Sequence, residues 1–206
     1  MVDYSFFVCR INTIMKKLIT ALFAVIALQF SLVAQTEDEV KPILKQYTQD
    51  LIEGNWVKSL DYTYPGLYTV VPRDQMEAVI VKTFTDTSMF VIGFNGMEYG
   101  SITEVYTEDK YSYSFVKYSM EMTMRFTSGI PKENHQATAD MMKMQFGDEN
   151  VKLVDDTMVI KQDNTMAAVK NKGEDKIYFM EVKEQLFTIM GQFMSEEFIA
   201  NAKAQL

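Results

Sequence analysis

Residues 110–126 carry the clearest alternation in the chain. From Val116 onward the even positions are apolar or aromatic: Val116, Tyr118, Met120, Met122, Met124 and Phe126. The odd positions between them are polar: Lys117, Ser119, Glu121, Thr123 and Arg125. A period of two predicts a long antiparallel strand with one face inward and the other in water. Upstream the phase inverts, because Tyr111, Tyr113 and Phe115 occupy odd positions. The inversion predicts a β-bulge at Phe115-Val116 that bends the strand into the spine of a curved sheet.

On either side the period is helical or irregular. Residues 37–53 place Val40, Ile43, Leu44, Tyr47 and Leu51 on one stripe, with acids in the first turn. Thr36 and Glu39 have capping-box spacing, and Gly54 is a stop. Asn55 is placed to cap a shorter helix over 56–63. Pro65-Gly66 reads as a turn, 67–71 as a short strand, and Pro72-Arg73-Asp74 as the start of a third helix burying Met76, Val79, Ile80 and Phe84.

Beyond Asp86 the pattern becomes extended. Strands over 89–94 and 97–107 are predicted, joined by a type I′ turn at Asn95-Gly96, and Glu108-Asp109 turns into the long strand. A helix over 131–146 follows, with Ala137, Met141, Met142 and Met144 as apolar positions, ended by Gly147. Asp155-Asp156, Asp163-Asn164 and Lys172-Gly173 then separate strands at 151–154, 158–161, 166–170 and 177–182. Residues 184–206 close the chain as a helix broken near Ser195, where Glu196 and Glu197 suit a new start. The order predicts an α+β fold: N-terminal helices on a curved antiparallel sheet, an inserted helix and a C-terminal helix.

The beginning of the chain changes which residues this reading applies to. Met15-Lys16-Lys17 precedes an almost wholly apolar run over 18–33 that ends in the small side chain of Ala34. This is the layout of a signal peptide cleaved after Ala34. A membrane anchor is the competing reading, since about 20 apolar residues suffice to span. The small-residue exit and the acidic segment after it favour cleavage. Residues 1–34 are therefore an upstream extension plus a cleaved signal peptide, with Met15 as initiator. Residues 35–206 are a single α+β domain exported to the periplasm or beyond the cell.

Cleavage removes three basic residues and one acidic residue, taking the net charge from −8 to −10. Such a surface repels nucleic acid and anionic lipid, so neither is an expected partner, and no membrane association is expected after cleavage. Cys9 is the only cysteine and lies in the removed segment, which leaves no disulfide and no thiolate nucleophile. His135 is the only histidine, so no metal site is expected. There is no phosphate-cradling loop and no serine-nucleophile motif.

Two stretches carry a resemblance: YTQDLIEGNWVKSLDYTYPG (47–66) and SYSFVKYSMEMTMRF (112–126). A helix ending in a Gly-polar-aromatic step, followed by a curved sheet, resembles the nuclear-transport-factor-2-like superfamily (cystatin-like fold). It is also similar to small secreted Bacteroidetes proteins of that type. The resemblance implies a cone in which a curved sheet wraps a helix and leaves a pocket at the wide end. Some members, similar to ketosteroid isomerases, move protons with pocket acids and a tyrosine, whereas others only bind a ligand or pair with copies of themselves. Fold alone does not choose between them. The preferred expectation is an exported non-catalytic module holding a small apolar ligand or a protein partner in a cone-shaped pocket. The alternative is a cofactor-free isomerase, cyclase or dehydratase. Neither needs a cofactor, and a homodimer is compatible with both.

Candidate site residues follow from the residue types. Asp61, Tyr62 and Tyr64 fall at the end of the second helix, where an acid and a phenol can act as base and hydrogen-bond donor toward a carbonyl. Asp61 and Tyr64 are the catalytic candidates, although helix surface and aromatic core explain them equally well. His135, in the polar run KENHQ, reads as a solvated histidine. Arg73-Asp74 suits an anion site, but Asp74 followed by Glu77 is better read as helix capping. Fourteen of the 16 methionines remain after Met1 and Met15 are removed, and such side chains fill cores or line adaptable cavities. Trp56, Tyr64, Tyr113, Tyr118 and Met120 are the ligand-binding candidates, expected around a cavity between the curved sheet and the first helix.

Overall fold

The computed structural model describes residues 37–206; the signal segment, its cleavage point and the Thr36 cap lie outside them. Helix α1 (Glu37–Ile52) buries Val40, Leu44 and Leu51 along its predicted stripe. It ends where Gly54 takes φ 77°, a conformation side-chain-bearing residues rarely adopt. A 3-10 turn over Trp56–Lys58 leads into the single-turn α2 (Ser59–Tyr62). Asn55 occupies the capping position without making a side-chain cap bond. Pro65–Thr69 forms another 3-10 turn in place of the expected short strand, because the proline starts a turn and offers no ladder donor. Helix α3 (Arg73–Thr85) starts after Pro72 with no side-chain cap, so the Asp74–Glu77 capping reading does not hold. It buries no residue fully, and Val79, expected inward, is 65 % exposed.

The sheet has six antiparallel strands: β1 (Phe90–Ile102), β2 (Tyr106–Thr107), β3 (Tyr111–Phe126), β4 (Val151–Val154), β5 (Thr157–Asn171) and β6 (Ile177–Glu181). Its order is β1-β3-β5-β4, with β2 on β3 and β6 on β5, giving a curved open sheet. Helix α4 (His135–Phe146) stands between β3 and β4 and stops at Gly147, φ 96°. After β6 the chain forms α5 (Phe187–Met190) and α6 (Glu196–Lys203). Ser195 caps α6, its Oγ accepting from the Phe198 N–H at 2.9 Å.

Pairing of β3 with β5 runs without interruption from Tyr111↔Asn171 to Arg125↔Thr157. There is no bulge at Phe115-Val116. Even residues keep one face along the whole of β3, and what changes at residue 115 is which face is covered. On the front, Val116 and Tyr118 pack with Met166 and Ala168 beneath Val40 and Leu44 of α1. Farther along the strand, Phe126 and Met158 are covered by Ala139 of α4. On the back, Tyr111, Tyr113 and Phe115 pack with Ala167 and Val169 under Met190, Met194, Phe198 and Ala202. A phase inversion thus looks the same in sequence whether a strand bulges or a second layer begins.

The bulges lie in β1 instead. Register shifts fall between Phe94 and Gly96, opposite Met122 and Glu121, and between Tyr99 and Ile102, opposite Tyr118 and Val116. Asn95-Gly96 therefore does not turn the chain. Asn95 is the extra residue of the first bulge, and its Nδ2 donates to Glu121 Oε1 at 2.7 Å. Asp163-Asn164 likewise does not break β5, because Ser119 and Tyr118 pair with these two residues in the continuous ladder.

Candidate functional site

The outer edge of β6 is partly covered by the segment after α2. Thr63 bridges Phe179, and the Tyr64 N–H donates to the Phe179 carbonyl at 3.0 Å. Beside this join lies a cavity of about 310 Å³, at the small end of the range for ligand sites. Tyr47 of α1 and Tyr62 of α2 line it opposite Phe179. Tyr47 meets the Tyr62 ring edge-on at 5.4 Å and lies 5.9 Å from Phe179. Four methionines complete most of the wall: Met76 of α3, Met166 of β5, Met180 of β6 and Met190 of α5. Such side chains adapt their shape to what they enclose.

One acidic residue, Glu181, belongs to this lining. Glu181 is the last residue of β6 and pairs with Met166, which puts it on the front face. The Tyr118 hydroxyl donates to its Oε1. Its Oε2 is shielded from solvent and makes no hydrogen bond; the Lys183 ammonium stands 3.8 Å away, beyond hydrogen-bond reach. Burial pushes the Glu181 carboxyl up, against the opposing pull of Tyr118 and Lys183. Burial and the adjacent carboxylate push the Tyr118 phenol far up, so it stays a protonated donor. Asn164, paired directly with Tyr118, also has a shielded Nδ2 without a partner. Unsatisfied polar atoms in a folded interior call for an explanation such as a bound molecule or water.

A second acid nearby shows the opposite environment. Asp50 on α1 is 3 % exposed, yet its carboxylate accepts from the Tyr62 hydroxyl at 2.8 Å and from Lys58 Nζ at 3.1 Å. The Tyr62 hydrogen bond chiefly, with Lys58, holds it below the ordinary carboxylate range. The Tyr62 phenol is pushed up to about 12, by burial first and then by Asp50. This acid is fully paired and ties α1 to α2. Glu181 is the one with spare accepting capacity. A carboxyl raised by burial beside a phenol can accept a hydrogen bond from a ligand, or take and return a proton.

Of the residues singled out from sequence, Tyr62 is in this wall, and Tyr118 stands behind it, bonded to Glu181. Met120 lies half-buried on the same face, packed against the α1 core. Tyr113 is fully buried on the opposite face, its hydroxyl accepting from Asn201 Nδ2 at 2.9 Å. Tyr64 is core, and its hydroxyl donates to Asn171 Oδ1 at 3.1 Å. Trp56 stacks on Phe84 at 4.1 Å and leans on Phe94, joining α3 to β1 away from the cavity. Asp61 and Tyr64 are not brought together. Asp61 is exposed and pairs with Arg73 at 2.5 Å, which also occupies the cation read as an anion site. His135 is buried rather than solvated. It stacks on Phe126 at 3.9 Å, with Nε2 3.1 Å from the Ile130 carbonyl oxygen, because the 3-10 turn before α4 rotates it inward.

Sequence reasoning missed Glu181 and Tyr47. The signal for Glu181 was present: in IYFME it shares its parity with Ile177 and Phe179, an acid where the strand's buried face requires an apolar residue. Among the described residues no group of His, Asp or Glu is placed to hold a metal, and no helix is long and apolar enough to cross a membrane. No family model, curated protein or solved structure matches the chain.

Proposed function

We propose that residues 35–206 form an exported, non-catalytic binding module that holds a small apolar ligand in the cavity between Tyr47 and Phe179. The observation that carries this reading is the lining: four methionines and three aromatic rings around about 310 Å³, with Glu181 the one acidic residue among them. The cone of the nuclear-transport-factor-2-like superfamily is the proposed parent architecture, supported by α1 lying against the front of a curved sheet. Export rests on the basic, apolar and small-residue pattern over 15–34.

The methionines supply a native reporter that Trp56, standing outside the cavity, does not. In methyl-labelled protein, titration with naphthalene should move the methyl resonances of Met76, Met166, Met180 and Met190. Met141 and Met144, 62 % and 89 % exposed, should stay still. Unmoved cavity methyls at saturating naphthalene overturn the reading.

The Glu181–Tyr118 pair favours a second reading, cofactor-free proton transfer of the ketosteroid-isomerase type. Against it, the Tyr118 proton is committed to Glu181 rather than offered to a substrate oxygen. Turnover of a β,γ-unsaturated ketosteroid that disappears in Glu181→Gln would replace binding with catalysis.

A further inference from the structure

Asn95-Gly96 is a sequence motif to which the cavity gives no role. Among the chain's asparagines, only Asn95 precedes a glycine. Glycine leaves the following backbone nitrogen unobstructed by a side chain, so that nitrogen can reach the asparagine Cγ. The fold keeps the pair accessible. Strand β1 stands at the end of the β1-β3-β5-β4 order, and Asn95 is the extra residue of its first bulge, outside the ladder register. Its side chain is exposed. Gly96 takes φ 155°, and the space where a side chain would stand on it is empty to 4 Å. An exposed hydrogen bond from Nδ2 to Glu121 Oε1, 2.7 Å long, holds the amide. Asn164 and Asn201 are placed differently. The first lies in the continuous β3–β5 ladder and the second in α6, each followed by a residue with a side chain.

We propose that Asn95 is a site of spontaneous deamidation that loosens the edge of β1. The Gly96 nitrogen bonds to Asn95 Cγ as the Cγ–Nδ2 bond breaks, and the Gly96 proton departs with the amide as ammonia. Water then opens the cyclic imide. Opening at Cγ leaves aspartate at position 95. Opening at the main-chain carbonyl leaves isoaspartate, which routes the backbone through the side chain and lengthens it by one methylene. Either product replaces the Nδ2 donor with a carboxylate, so the hydrogen bond to Glu121 becomes a contact between two acceptors. The longer backbone of isoaspartate also shifts the neighbouring Phe94, whose ring lies 5.4 Å from that of Trp56.

The purified protein, kept folded at mildly alkaline pH, is digested at intervals and its peptides are read by mass spectrometry. An isoaspartyl methyltransferase counts the isoaspartate, and the same chain unfolded in urea gives the unprotected rate. An edge bulge opens locally at little cost, so Asn95 in the folded protein should convert within about tenfold of that rate. Asn164 and Asn201 should stay intact over the same period. The modified fraction should melt below the unmodified one. In Asn95→Gln the longer side chain keeps an amide donor but closes a ring far more slowly, so the melting temperature should hold through the incubation. An Asn95 that stays intact in the folded protein while the urea-unfolded chain converts overturns the proposal, since the fold then protects the site. Conversion without a change in melting overturns the loosening of β1, and a fall in melting that persists in Asn95→Gln assigns the damage elsewhere and overturns it too.

Discussion

The two ends of β3 are built differently. From Tyr111 to Val116 the strand is covered on both faces: α1 lies over Val116, while α5 and α6 lie over Tyr113 and Phe115. Phe198 sits 4.8 Å from the Tyr113 ring and 5.8 Å from that of Phe115, so the back layer there is a close aromatic cluster. From Ser119 to Phe126 only the front is apolar. The back carries Ser119, Glu121, Thr123 and Arg125 in register with Asp163, Lys161, Val159 and Thr157. A single strand thus passes from the middle layer of three to the inner layer of two. Tyr118 is the last fully covered front residue before the half-buried run of methionines.

The largest effect should come from the end with two layers. Phe115→Ala removes a fully buried ring from the back cluster and should cost about 3–5 kcal/mol, read from urea unfolding with an unchanged m-value. A loss below about 1 kcal/mol would mean that the helices after β6 do not form a real second layer.

How much of this was legible in the sequence depends on how many faces were covered. Over 116–126 one face is wet, so alternation located the strand and assigned its sides correctly. Over 111–115 both faces are dry, and the same rule turned a new layer into a bulge. The true bulges fall at Asn95 and at Gly100-Ser101, and the first borrows the dipeptide of a tight hairpin; only the partner strand distinguishes the two uses. Helix α1 was legible because one stripe, one acidic turn and one glycine all agree. Of the candidate site, Tyr62 was found in the aromatic end of the second helix, and Tyr118, the partner of Glu181, because it lies on the long strand. Tyr47 and Glu181 were missed because each sits inside an element that reads as ordinary core, and their meeting depends on tertiary pairing.

A middling effect is expected on the front of the end with one covered layer. Met122 pairs with the fully buried Ile160 but is itself only partly covered. Met122→Asp should therefore cost about 1–3 kcal/mol, less than Phe115→Ala, because part of the new charge stays hydrated. A cost matching that of Phe115→Ala would mean that Met122 is closed off from water in solution.

The smallest effect should fall on the back of that same end, one residue away. Thr123 pairs with Gly93 on one side and Val159 on the other, and its hydroxyl reaches the Gly93 carbonyl only at 3.5 Å. Little hydrogen bonding is lost on substitution, and a lysine stem can lie along the neighbouring strands with its ammonium in water. Arg125 and Lys161 lie on the same face, but Glu121 lies there too and the sites are open to water, which screens the new charge. Thr123→Lys should change stability by about 0.5 kcal/mol or less in thermal melts. The melts should be run at several protein concentrations. A large loss that grows on dilution would show a second copy covering this face. The far end would then have two layers like the near one, and the contrast between them would belong to the isolated chain alone.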